Sequence, residues 1–157
     1  MYFTNKNVKV IIVTTLLSIF GGYFLFTHSF KVSSESGVIK RIVTEQELKT
    51  VFDNAGSKML VFDLYAEWCS PCRVIHPRLE ALARKYSDKV EFYSIDIDKS
   101  PKIASAFMAN RIPDVVFFKD KKKIASLIGI KPIESYEKVI SECYTLTGPC
   151  DSLLQTL

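Results

Sequence analysis

The sequence predicts an α/β domain, a central mixed β-sheet flanked by helices, preceded by one apolar N-terminal segment. Three observations carry that prediction. Strand-like and helix-like patterns alternate from residue 38 to residue 143 in the order βαβαβαββα, which calls for parallel strands joined by helices and a closing antiparallel hairpin. The run Met59 to Tyr65 is apolar except at Asp63, as expected of a strand covered by helices on both faces. Where that run ends, Cys69 and Cys72 stand two residues apart and a helical pattern begins at once, so a buried strand delivers a dithiol to a helix N-terminus.

A chain of 157 residues accommodates one domain of about 100 to 120 residues with its own core, plus a segment at each end. The boundaries read as 1–29 for an anchor, 30–37 for a serine-containing linker and 38–157 for the folded domain with a C-terminal extension. The net charge of +4 comes from 21 basic and 17 acidic residues without an aromatic-interleaved basic stripe, which argues against nucleic-acid binding.

From Val10 to Thr27 no residue is charged. As a helix those eighteen residues span about 27 Å, close to the hydrocarbon thickness of a bilayer. An uncleaved signal anchor is favoured, because a cleavable signal has a shorter apolar stretch and Val32-Ser33-Ser34 matches a cleavage site weakly. A cleaved signal and a buried soluble helix stay open as alternatives. The flanking lysines do not decide orientation. A short tail followed by a folded domain is the usual signal-anchor arrangement, so the domain is expected outside the cytoplasm, in a bacterial periplasm, since no endoplasmic-reticulum retention tail follows Leu157. Secretion after cleavage is the alternative location.

Val38 to Val43 reads as a first strand, and Thr44-Glu45-Gln46-Glu47 has the form of a capping box, with Val43 and Leu48 placed as a hydrophobic staple. The helix that starts at Glu45 turns Leu48, Val51, Phe52 and Ala55 inward, and Gly56 sits where a left-handed residue is wanted. After the central strand, the helix from Cys69 carries Val74, Ile75, Leu79, Leu82, Ala83 and Tyr86 on its inner side and is bent by Pro77. Val90 to Ile97 is the next strand and Pro101 to Ala109 a short helix. Val115 to Phe118 and Ile124 to Ile128 form a hairpin around Asp120 and Lys121, and Ile133 to Cys143 is the last helix.

The first turn of a helix presents unpaired N–H groups and the positive end of its dipole, and both favour a thiolate. Cys69 is therefore expected to be the acidic, exposed nucleophile, and Cys72 the more buried thiol that resolves a mixed disulfide. The alternative is zinc held by Cys69, Cys72, Cys143 and Cys150. The proline inside the first pair and the six-residue gap in the second are poor zinc knuckles, so no metal is expected. Asp63, alone among apolar neighbours, is expected to be buried with a raised pKa and to take the proton of Cys72; a carboxylate reaching solvent at the strand end is the plainer alternative. Trp68 reads as a platform beside the site. His76 reads as solvated, although one turn beyond Cys72 it is placed to tune that thiol, and Glu67 is given no defined role. Lys121, Lys122 and Lys123 read as a wet turn guarding an edge hairpin.

Trp68-Cys69-Ser70-Pro71-Cys72 resembles the active-site motif of the thioredoxin superfamily, where glycine more often stands at the place of Ser70. Asp63 matches that family's buried strand carboxylate, Pro77 its helix-kinking proline, Ile112-Pro113 its cis-proline loop and Gly129 its late glycine, a similarity covering roughly residues 38 to 142. The resemblance implies a thioredoxin fold, thiol–disulfide exchange without a cofactor, and a cis Ile112–Pro113 bond beside the dithiol that offers backbone to an extended substrate. It also implies disulfide-containing protein substrates and, outside the cytoplasm, a membrane thiol electron donor. Ser-Pro between the cysteines resembles reducing thioredoxins, so reduction is the favoured direction. Thiol oxidation or isomerisation, and a peptide-holding assembly module with incidental redox activity, remain as alternatives. The turn-prone Thr147-Gly148-Pro149 is placed to fold Cys150 back onto Cys143, and a structural disulfide there is expected in an oxidising compartment.

Overall fold

Among residues 38–145, which the computed structural model describes, the elements follow one another as β1 (Lys40–Ile42), α1 (Glu45–Asn54), β2 (Met59–Tyr65), α2 (Ser70–Lys85), β3 (Val90–Asp96), α3 (Pro101–Ala106), β4 (Asp114–Lys119), β5 (Lys122–Ile128) and α4 (Ile133–Thr145). The order is the expected βαβαβαββα. The sheet runs β1-β3-β2-β4-β5, with β1, β3 and β2 parallel and β4 and β5 antiparallel to their neighbours. The expected anchor, the linker and Cys150 lie outside the described residues. Among the described residues no helix is long and apolar enough to cross a membrane.

Three of the boundaries that differ from the sequence reading have a clear local reason. β1 stops at Ile42 because the Val43 and Thr44 N–H groups both donate to Glu47 Oε2, at 2.8 and 3.0 Å, while Thr44 Oγ1 accepts from Glu47 N–H. This capping box takes the donor that strand pairing would need. α3 ends at Ala106 because Met108 adopts φ +55°; Ala109 N–H then reaches the Ala104 carbonyl and Met108 N–H the Ser105 carbonyl, the two bonds of a Schellman ending with methionine where glycine is usual. In the hairpin, Asp120 and Lys121 both have positive φ, which matches the twist of the flanking strands and lets β5 begin at Lys122. Gly56 has φ +56°, as its place after α1 requires.

Alternation along β2 divides the interior. Met59 and Val61 join Ile75, Leu79 and Leu82 of α2 and Tyr136, Val139 and Ile140 of α4 on one face. Leu60, Phe62 and Leu64 join Ile103 and Phe107 on the other, with Phe52 of α1 packed against them. Phe62 is the hub of that second face, its ring centroid 5.1 Å from Phe107 and 5.6 Å from Tyr93. The same parity puts Asp63 on the α2 face. Val74, expected inward, is 49% exposed. The stripe through Cys72, Ile75, Leu79 and Leu82 follows helical spacing from Cys72, and Val74 stands about 100° away from Ile75 around the axis.

Candidate active site

The chain leaves β2 at Tyr65, turns through Ala66 to Trp68, and enters α2 with Cys69 as its N-cap. Cys69 has an extended backbone, Cys69 N–H donates to the Ala66 carbonyl at 3.1 Å, and Pro71 falls in the first helical turn, where its missing N–H costs nothing. Cys69 and Cys72 are joined in a disulfide with Cα atoms 5.3 Å apart. Cys72 N–H donates to Cys69 Sγ at 3.2 Å, so an orphan donor of the helix terminus points at that sulfur. Arg73 staples the turn: Nη1 donates to the Glu67 carbonyl and Nη2 to Ser70 Oγ, each at 2.8 Å. Glu67 is in turn paired with Lys99, and Lys99 also contacts Asp96 at 3.2 Å.

Cys69 is not the exposed member of the pair in this oxidised form: both cysteines are 3% exposed. They pack with Ala66, and Tyr65, Ile97 and Ile112 close over them. The Ile112–Pro113 bond is cis, and Gly129 N–H donates to the Pro113 carbonyl at 2.7 Å, fixing that loop to the end of β5. Trp68 stands out from the surface, 67% exposed, with its indole N–H donating to Asp98 Oδ2 at 2.8 Å. The sequence-expected Cys69, Cys72 and Ile112 thus meet in one cluster, and Trp68 and Pro113 flank it in the chain.

Asp63 is 2% exposed, which removes the reading of a carboxylate reaching solvent. Burial pushes its pKa up, and the neighbouring His76 partly offsets that rise. His76 Nδ1 lies 3.2 Å from Asp63 Oδ2, and this contact raises the histidine in return. The solvated reading of His76 is therefore corrected: its side chain is 42% exposed and bonded inward. The signal was its spacing, since Cys72 and His76 are four residues apart on the helix face that covers Asp63. Asp63 Oδ1 has no hydrogen-bond partner among the described residues. Asp63, Cys72 and His76 line one cavity of about 800 Å³ behind the disulfide. Cys143 is buried in α4, while the expected Cys143–Cys150 link falls outside the described residues with Cys150.

Comparison with known proteins agrees with this geometry. The thioredoxin family model matches residues 40–142. The chain belongs to the thioredoxin family. Thioredoxin H7 of Arabidopsis thaliana is 33% identical over 114 residues, covering 71% of this chain and 88% of that protein. A thioredoxin of Chlamydia trachomatis is 38% identical over 90 residues, 57% of this chain and 87% of its own length. Among solved structures, the Malassezia sympodialis thioredoxin superposes with TM-score 0.61 at 33% identity, covering 68% of this chain and 90% of that one. Thioredoxin NaTrxh of Nicotiana alata superposes with TM-score 0.62 at 28% identity, covering 69% and 96%. As a thioredoxin-family member, the protein is a disulfide oxidoreductase acting on disulfide-containing proteins, with Cys69 and Cys72 as its close pair. Arg73, Tyr65 and Ile97 are side chains at the dithiol to which the sequence reading gave no part in the site.

Proposed function

We propose that this thioredoxin-like chain is a reductant of protein disulfides, tethered outside the cytoplasm by its apolar N-terminal segment. The exchange chemistry in this reading rests on one observation, the sulfur of Cys69 capping α2 and accepting the Cys72 N–H, while the direction is taken from Ser70-Pro71 between the cysteines and the tether from the uncharged run Val10 to Thr27. A thiolate at that position is stabilised by the helix terminus, which makes Cys69 both a ready nucleophile and a good leaving group. The Cys69 thiolate attacks one sulfur of a substrate disulfide and forms a mixed disulfide while the other substrate thiolate leaves. Asp63 takes the proton of Cys72, and the Cys72 thiolate attacks Cys69 Sγ, expelling the second substrate thiolate and forming the 69–72 disulfide. Two electrons have then passed to the substrate, and a membrane dithiol carrier returns them.

Trp68, Ile112 and Pro113 form the docking rim for an extended substrate segment in this scheme. Catalysed reduction of insulin, lost when Cys69 and Cys72 are both changed to serine, tests the chemistry. Equilibration with glutathione tests direction, with a potential near about −270 mV expected of a reductant and near about −120 mV of an oxidant. Alkylation of the chain in intact cells tests placement, an extracytoplasmic domain being labelled by a membrane-impermeant thiol reagent.

A further inference from the structure

Resting on the assignment of Asp63 as the base for Cys72, we propose that His76 is the proton outlet of that base, a positioning residue that holds the Asp63 carboxylate and passes its proton to solvent through the cavity behind the disulfide. A base is useful over repeated turnovers only if it can shed what it collects. Asp63 sits on the central strand at 2% exposure, so its carboxylate borders the cavity but has little direct contact with bulk water. His76 spans the gap: Nδ1 meets Asp63 Oδ2 at 3.2 Å, and Nε2 lies 3.9 Å from Glu80 Oε1 in the outer part of the same cavity. Cys72, His76 and Glu80 recur every four residues along α2, so thiol, imidazole and surface carboxylate stand in file above Asp63.

The steps balance with protons alone. Asp63 carboxylate accepts the S–H proton of Cys72 and becomes a carboxylic acid. The acid gives that proton to Nδ1 of neutral His76, restoring the carboxylate and forming imidazolium. Imidazolium releases its Nε2 proton to water, and the neutral ring regains its starting tautomer by exchange with solvent. The charged groups around the ring set the balance. Asp63 on β2 and Glu80 on α2 favour the imidazolium, and Arg41 on β1 opposes it. Tyr136 of α4 is the titratable side chain facing Asp63 from the last helix, and burial keeps it protonated. The hydrogen bond to Asp63, helped by the charges of Asp63 and Glu80, outweighs burial and Arg41 and leaves His76 more basic than usual, which suits it to take a proton from a carboxylic acid raised by burial.

The test follows release of substrate thiol over repeated turnovers of the full chain, with excess dithiothreitol as the reductant, between pH 5.5 and 9, in dilute buffer with and without added imidazole. Asp63→Asn, His76→Ala and His76→Gln are compared, glutamine keeping the shape and hydrogen bonding but carrying no proton. Both His76 variants are expected to slow this step roughly tenfold in dilute buffer. Imidazole is expected to restore His76→Ala in proportion to its concentration and to leave Asp63→Asn slow. If Asp63→Asn is slow but the His76 variants match the parent at every pH, or imidazole does nothing for His76→Ala, the outlet is overturned and the Asp63 base stands. If Asp63→Asn itself resolves at the parent rate, the base assignment falls and takes the outlet with it.

Discussion

Replacing Asp63 by asparagine keeps the shape of the side chain and removes its charge, and its effect on folding depends on pH with a sign that burial dictates. Asp63 is raised above the ordinary carboxylate value by burial, and His76 is raised by its bond to Asp63. A group that binds its proton more tightly when folded lends stability in full below its unfolded pKa, and that stability is lost as pH rises through the folded pKa. Both groups act in this sense, so the parent protein loses stability relative to Asp63→Asn as pH increases. The loss begins near the unfolded aspartate value, about pH 4, and proceeds at up to about 1.4 kcal/mol per pH unit until the folded value is passed. His76, whose raised value depends on Asp63, adds the same sign above about pH 6.5. Urea unfolding of both oxidised proteins from pH 3 to 9 gives the difference curve directly. It should be level in acid, fall, and level again. A difference that is flat throughout, or that rises with pH, refutes the claim that burial dominates at this carboxylate.

Three further outcomes follow from other parts of the molecule. Cys72→Ser should accumulate a substrate adduct on Cys69, seen on non-reducing gels and by mass, whereas Cys69→Ser should trap none. Met108→Gly should stabilise the fold by roughly 0.5–1 kcal/mol, because a left-handed side chain is relieved at the end of α3 and a residue 71% exposed forfeits little packing; thermal unfolding reads the gain. Thr44→Ala should cost about 1 kcal/mol in urea unfolding, since it removes the acceptor for Glu47 N–H at the start of α1.

What was readable before folding and what was not divide along a physical line. β2, the capping box at Thr44, the helix that begins at the cysteines and the left-handed Gly56 were readable because each depends on neighbours in the chain. The cis bond at Ile112–Pro113 was readable only through the surrounding motif, since the dipeptide alone carries little information. The early ends of β1 and α3 were missed because Glu47 competes for Val43 N–H and because methionine occupies a position where glycine is expected. His76 was misjudged for another reason. Its role depends on a carboxylate thirteen residues earlier on a different element, and a histidine on a helix carries no mark of what lies beneath it. The burial of Cys69 was likewise hidden, because Ile97 and Ile112, distant in the chain, pack against its cluster.

β2 is hydrogen-bonded along both edges, to β3 on one side and β4 on the other, and the reacting turn grows directly from its end. Edge strands and helix tips can fray without disturbing such a strand, whose amides exchange with deuterium only when the whole sheet comes apart. The reacting turn is therefore held at its β2 end by the last part of the molecule to melt.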